Sequence, residues 1–346
     1  MNFLTKILLI ILLASLLANI AAFWPKQEIF LQEQAPEGEI KGIYFCPENN
    51  CEQAFIGLVG SAGKSVHCAV YDLSLDSVKQ AFFQAKLKGV DVKIVADDQE
   101  AESKDSIVPA LKENGLAKTD KSKSAFMHDK FCVIDSNKIW VGSTNLTFND
   151  TQKNNNNFIV IENSLLAGNF EKEFNELWEG NFGLFSPSGT VNDLNSGYEA
   201  FFCPEDSCEK QISRYAGQAK KSIDCMFFVL TLDEVEQAFL EAAEKGVKER
   251  FIFEQSQIQD YSSYWQLVDK NNVSIVLDKN PGFMHNKLCV FDDEIVLTGS
   301  MNPSKKSSQE NDESIIFIKN SMAAKAYSDY FKGKWLEWQD LNQAIN

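Results

Sequence analysis

Six residue types recur in the same order at two places in this chain of 346 residues. The first run is His128, Lys130, Asp135, Gly142, Ser143 and Asn145; the second is His285, Lys287, Asp292, Gly299, Ser300 and Asn302. On an extended strand residues two apart project to one face, so each His and its Lys would stand side by side over a common ligand. An imidazole can attack or exchange a proton, an ammonium supplies positive charge, and Ser and Asn on a following strand add neutral donors. That complement suits a tetrahedral anion. Two of the chain's 3 histidines are used in these runs, which leaves little material for a metal centre. Neither a metal nor a cofactor is expected, and activity should survive a chelator.

The runs are part of a longer repetition with a constant offset of 157 residues. The same shift carries Cys46, Cys51, Cys68 and Cys132 onto Cys203, Cys208, Cys225 and Cys289. It carries Phe126-Met127-His128 onto Phe283-Met284-His285, Asn163-Ser164 onto Asn320-Ser321, and Trp178 onto Trp335. A repeat this long is a domain or half-domain and not a solenoid module. Two copies in one chain suit a pseudo-two-fold arrangement.

The doubled pattern HxKx4Dx6GSxN resembles the phospholipase D superfamily, over nearly the whole chain after its first two dozen residues. The resemblance implies a metal-independent phosphodiesterase. One His would attack phosphorus to form a phosphohistidine, while the other protonates the leaving oxygen and then activates water. It further implies that Lys130, Lys287, Asn145 and Asn302 hold the non-bridging oxygens and that Ser143 and Ser300 assist. Asp135 and Asp292 would steady the turn between strands, away from the phosphate. The family also backs each catalytic His with a downstream carboxylate or amide, and at equal distances Asn156 follows His128 and Glu313 follows His285. A carboxylate stabilises imidazolium, whereas an amide can orient a neutral ring. On that basis His128 is expected as nucleophile and His285 as general acid, with Glu313 counted as catalytic and Asn156 as supporting.

Other residues invite plainer accounts. His67 is matched by Asp224 in the second copy and is expected to be a partly buried strand residue. Cys46/Cys51 and Cys203/Cys208 lie in CPENNC and CPEDSC segments. Short-loop disulfides compete there with a four-cysteine zinc site across the pseudo-dyad, and an exported context favours the disulfides. Cys132 and Cys289 share the strand face of His and Lys and are expected as buried, inert thiols. Lys118, Lys121 and Lys123, Lys279, and Lys305 and Lys306 flank the motifs. Such runs are usually solvated, yet their clustering suggests a phosphate-attracting rim.

The elements that must position these groups alternate. Helical spacing covers residues 53–62, 77–87 and 165–178, and short apolar runs predict strands at 65–71, 90–96, 131–134, 139–141 and 158–161. The expected fold class is α/β: two tandem phospholipase D-like repeats, each a mixed β-sheet flanked by helices, related by a pseudo-two-fold axis. Residues 1–24, almost wholly apolar, are expected as a signal peptide, cleaved or retained as a membrane anchor. Residues 25–40 follow as a linker, 41–180 as the first repeat, 181–196 as a connection and 197–346 as the second repeat.

A formal charge of −16, from 33 basic and 49 acidic residues, counts against a broad cationic face for nucleic acid. An exported, secreted or membrane-anchored monomer hydrolysing a phospholipid is therefore the first expectation. An exported nuclease acting on single-stranded nucleic acid comes next, since Gly142–Thr147 resembles the family's small nucleases. Transfer to an alcohol and a catalytically silent phosphate-binding module are the remaining readings.

Overall fold

The computed structural model describes residues 38–122, 124–183, 192 and 197–344. The expected export segment, most of the expected linker and connection, and Lys123 lie outside the described residues. The first repeat runs β1 (Glu39–Cys46), α1 (Cys51–Gly60), β2 (Ser65–Val70), α2 (Asp76–Leu87), β3 (Asp91–Ala96), α3 (Asp98–Ala101) and α4 (Val108–Glu113). It continues with β4 (Ala117–Thr119), β5 (Lys130–Ile134), β6 (Lys138–Gly142), α5 (Phe148–Gln152), β7 (Asn156–Glu162) and α6 (Ser164–Glu179). The second runs β8 (Tyr198–Cys203), α7 (Cys208–Gln218), β9 (Ser222–Phe227), α8 (Asp233–Glu244), β10 (Lys248–Phe253), α9 (Tyr264–Leu267) and β11 (Val273–Leu277). Its remainder is β12 (Lys287–Phe291), β13 (Ile295–Gly299), α10 (Lys305–Gln309), β14 (Glu313–Lys319) and α11 (Ser321–Ala344).

Each repeat builds a seven-stranded sheet, ordered β1-β7-β6-β5-β2-β3-β4 and β8-β14-β13-β12-β9-β10-β11. The two orders are the same under the repeat. In the first sheet β2, β3 and β4 are parallel and the other pairings antiparallel, which makes it mixed. Strand β1 begins inside the segment expected as linker, with Glu39 and Ile40 paired to Glu162 and Ile161 of β7. As an edge strand it buries little of its length, so its sequence carries a weak apolar signal.

Helices α6 and α11 hold the two sheets together. Asn163 and Asn320, the duplicated Asn-Ser pairs, cap them by accepting hydrogen bonds from Leu166 N and from Met322 N and Ala323 N. The apolar stripe Leu166, Phe170, Phe174, Leu177 of α6 and Ala323, Tyr327, Phe331, Trp335, Trp338 of α11 lies in one shared core with the inner faces of both sheets. Two further cores cover the outer faces, one with α1 and α2 and one with α7 and α8. The molecule is thus layered helix, sheet, helix pair, sheet, helix.

All eight cysteines are bridged. Cys46–Cys51 and Cys203–Cys208 close the short loops expected from their spacing. The expectation of inert thiols at Cys132 and Cys289 is overturned, because they form disulfides with Cys68 and Cys225. The cause is register: Cys68 lies directly opposite Cys132 on β2 and β5, and Cys225 opposite Cys289 on β9 and β12, with Cα separations of 4.0 and 4.1 Å.

Candidate active site

The two motif segments are hydrogen-bonded crosswise. His128 N donates to Asp312 O and Asp312 N to Phe126 O, each at 2.9 Å. The mirrored bonds run from His285 N to Asn155 O at 2.9 Å and from Asn155 N to Phe283 O at 2.8 Å. This reciprocity is what a pseudo-two-fold requires, and it sets each His beside the residue that leads the last strand of the other repeat.

The pairing inferred along the chain is therefore wrong. Glu313 Oε2 meets Nδ1 of His128, not His285, at 2.8 Å. Asn156 Oδ1 meets Nδ1 of His285, not His128, at 3.0 Å. Both partners accept, which places a proton on each Nδ1 and leaves each Nε2 to carry a lone pair on a neutral ring or a proton on an imidazolium. The serines support these partners: Ser143 Oγ donates to Asn156 Oδ1 at 2.8 Å and Ser300 Oγ to Glu313 Oε2 at 2.6 Å.

Lys130 and Lys287 open their strands, and each ammonium is anchored by the carbonyl of its own His, Nζ to His128 O at 2.8 Å and to His285 O at 2.7 Å. Burial, opposed by Glu313 and Asp150, lowers the Lys130 ammonium to about 8. Burial and then the Lys130 charge hold Lys287 well below its ordinary value. Burial also pushes His128 down to about 4 against the pull of Glu313, and with help from Lys287, Lys130 and His128 it holds His285 well below the ordinary imidazole range. Each His senses the Lys of the other repeat, so both motifs serve one site. Glu313 is itself held below the ordinary carboxylate range, since His128, Lys130 and Ser300 together outweigh its burial.

The remaining motif residues divide into two groups. Asp135 and Asp292 are turn-holders, as expected: Asp135 accepts from the backbone N–H groups of Gly63, Lys64 and Ser65, and Asp292 from those of Lys220, Lys221 and Ser222. Both sit in the left-handed region, φ 53° and 56°. Gly142 and Gly299 allow close strand approach, since an added Cβ would stand 2.2 Å from Asn157 O or Ser314 O. Asn145 and Asn302 each keep a buried side-chain oxygen without a hydrogen-bond partner.

Three features escaped the sequence reading. Tyr71 and Phe228 stand edge-on to His128 and His285, with centroids 4.7 and 4.8 Å away. Each ring also lies 5.0 Å from the ammonium of Lys130 or Lys287. Their signal was the constant offset, which matches an aromatic with an aromatic. Asp150 is buried beside Asn145 and stands 3.9 Å from His285 Nδ1. Behind His128, Asp129 and Glu173 of the first repeat and Asp312 of the second form a buried acidic group whose equivalents across the pseudo-dyad are the uncharged Asn286, Tyr330 and Asn155.

His67 is an expected bystander. It is buried, stacks on Phe174 and pairs with Glu171 and Asp91. The lysine rim is smaller than expected: Lys118 and Lys121 line a hollow of about 430 Å³ with Trp178 and Phe182, and Lys118 donates to Trp178 O. Lys279 is engaged by Gln255, whereas Lys306 does reach Phe126 at the motif, 3.4 Å from its ring centre. Asp97, Asp98 and Asp120 have carboxylate oxygens close enough together for a cation. Asp97 and Asp120, however, accept from backbone N–H groups, including those of Gln99, Met127 and Asp98.

Comparison with known proteins agrees with this geometry. A family model described as the cardiolipin synthase, PLD-like domain, matches residues 55–178 and again 212–335. A mitochondrial cardiolipin hydrolase of Chlamydomonas reinhardtii is 28% identical over 142 residues, 39% of this chain and 64% of that protein. A phospholipase D of Rickettsia felis is 28% identical over 134 residues, 39% of this chain and 67% of that protein. The chain thus spans about two thirds of the length of the curated relatives it matches. The solved phosphatidylserine synthase of Haemophilus influenzae Rd KW20 shares the fold, with a TM-score of 0.63 at 10% identity over 84% of this chain and 85% of that one.

Proposed function

The chain belongs to the phospholipase D superfamily, carrying the PLD-like domain twice, and on that premise we propose that it hydrolyses a phosphodiester through a phosphohistidine without a metal. The observation that carries this reading is the crossed pair of imidazoles. His128 and His285 are each fixed through Nδ1 by the opposite repeat, and each feels the charge of both lysines.

His128 is the nucleophile, for a different reason from the one read along the chain. When Nε2 of His128 bonds to phosphorus its ring becomes cationic, and Glu313 on Nδ1 stabilises that charge as it forms. The bond from phosphorus to the leaving oxygen breaks as His285 delivers its Nε2 proton to that oxygen. Asn156 orients His285 without a formal charge, and the nearby lysines favour release of the proton. Water then attacks phosphorus while His285 takes its proton, and the nitrogen–phosphorus bond breaks to restore neutral His128. Lys130, Lys287, Asn145 and Asn302 hold the non-bridging oxygens.

The proposed substrate is a phospholipid, presented at a membrane to an exported monomer. Relatives named phospholipase D and cardiolipin hydrolase support it. So do exposed aromatics: Phe283 is 45% exposed against Phe228, which lies edge-on to His285, and Tyr261 and Trp265 are exposed elsewhere on the same repeat. Tyr and Trp suit the membrane interface. Four disulfides fit an oxidising compartment.

The test offers bis(p-nitrophenyl) phosphate, phospholipid vesicles and single-stranded DNA separately, each with EDTA present, to wild type and His128→Ala. Turnover by wild type alone, with an acid-quenched phosphate adduct on His128 by mass spectrometry, is expected. An adduct on His285 would reverse the roles, cleavage of DNA but not lipid would replace the substrate, and no turnover of any would leave a binding module.

A further inference from the structure

The two halves of the site differ at two linked positions. Behind His128, one residue does everything: Glu313 takes the ring's hydrogen bond at 2.8 Å and brings a negative charge. Behind His285 the corresponding residue is the neutral Asn156, and the chain has a carboxylate six residues earlier instead, Asp150, where the second repeat has Ser307. We propose that Asp150 is a positioning carboxylate for His285, so that Asn156 supplies the hydrogen bond and Asp150 the charge that Glu313 supplies alone on the other side. This rests on the phosphodiesterase reading above.

The geometry gives Asp150 no freedom to do anything else. Its Oδ2 accepts from Asn145 N at 3.0 Å and Asn145 Nδ2 at 2.7 Å, and its Oδ1 accepts from Asn154 Nδ2 at 2.6 Å while standing 3.9 Å from His285 Nδ1. Its backbone carbonyl accepts from Asn156 Nδ2 at 3.3 Å, so the amide that orients His285 is itself held by Asp150. The charged groups facing it are Lys130, Lys287, Asp72 and His285. Lys130 and Lys287 are each favoured by both Asp150 and Glu313. Glu313 and Asp150 are thus the carboxylates that both ammoniums feel, with Asp129 and Asp72 acting on Lys130 as well, and together they let the buried site hold one imidazolium beside a bound diester anion. Without Asp150 the ammoniums are in excess, and His285 surrenders its proton before it can donate it.

The test compares wild type, Asp150→Ser, Asp150→Asn and the double variant Asp150→Ser/Asn156→Glu. The measurement is the pH profile of kcat/KM on aryl phosphodiesters with p-nitrophenyl and phenyl leaving groups. A p-nitrophenolate leaves without help, whereas a phenolate needs the acid. Both single variants should lose roughly tenfold or more on the phenyl ester, lose little on the p-nitrophenyl ester, and lose activity at a pH about one unit lower. The double variant, which puts a carboxylate on the hydrogen-bonding position as in the other half, should recover both. Equal losses on the two esters with no shift of the pH limb and no recovery would reduce Asp150 to a structural residue and overturn the assignment. Unchanged kinetics in Asp150→Ser would do the same while leaving the phosphodiesterase intact. Wild type as inactive as His128→Ala on both esters would remove the phosphodiesterase reading and this one with it.

Discussion

Glu313, on the second repeat, accepts a hydrogen bond at 2.8 Å from Nδ1 of His128 on the first. Each motif His takes its support from the other repeat, so on the proposed mechanism neither half is sufficient. The exchange also divides the labour: the carboxylate-backed ring is suited to carry charge in a covalent intermediate, and the amide-backed ring to pass a proton.

Glu313→Gln keeps the shape and can keep the hydrogen bond from His128, but removes the charge. A hydrogen bond to an ionised group contributes about 1.5–3 kcal/mol, so kcat/KM should fall on the order of 10- to 100-fold. Rapid-quench measurement should place that loss in formation of the phosphoenzyme. A loss confined to its hydrolysis would transfer the nucleophile's role to His285.

The duplication was legible because a constant offset is visible without any structure, and the alternation of helical and strand patterns placed most of the elements between Ser65 and Glu179. Three things were not. The exchange of Glu313 and Asn156 is a property of the dyad, and position along one repeat says nothing about which repeat supplies the partner. The Cys68–Cys132 bridge depends on the register of β2 against β5, strands far apart in the chain, and parity alone could not match them. Asp150 lies in a five-residue helix after the motif, where an acidic residue ordinarily signals a helix start.

The Cys68–Cys132 and Cys225–Cys289 bridges each close a loop with a sequence separation of 64. Chain-entropy arguments assign a loop of that length roughly 4 kcal/mol of stabilisation, more than the five-residue loops of the other two. Cys68→Ala/Cys132→Ala should therefore lower the unfolding free energy in urea by about twice what Cys46→Ala/Cys51→Ala does. Equal losses would show that the short loops contribute through the native packing of Cys46 and Cys51 instead.

Gly142 is a steric requirement and not a flexible joint. Gly142→Ala forces its Cβ against Asn157 O and the Cα of Phe158, both backbone atoms, so β6 and β7 must separate at the point where Ser143 reaches Asn156. We expect a loss of about 1–3 kcal/mol in stability, together with lower activity, because displaced Asn156 no longer holds His285. Denaturant melts and kcat measured on the same sample check both. A variant destabilised but fully active would uncouple this contact from the site.

The buried acids Asp129 and Asp312 give the fold a pH dependence of definite sign. Burial raises Asp129 to about 7 and Asp312 to about 8, the neighbouring carboxylates adding to it, whereas in the unfolded chain both titrate near the ordinary value of about 4. Between those limits the folded state holds more protons than the unfolded one, so stability falls as pH rises from about 4 through 8. Carboxylates held low, such as Asp135 on its three backbone N–H groups, work the other way and lose their contribution as pH falls toward 4 and below. The protein should therefore be most stable in mildly acidic solution and weaker by on the order of a few kcal/mol at pH 8 to 9. Asp312→Asn, which installs the amide that the first repeat carries at Asn155, should raise the melting temperature at pH 8, change it little at pH 5, and flatten the profile between. A wild-type melting temperature that climbs steadily from pH 5 to pH 8, or an Asn variant that follows the same slope, would mean that these carboxyls ionise without penalty in the folded protein.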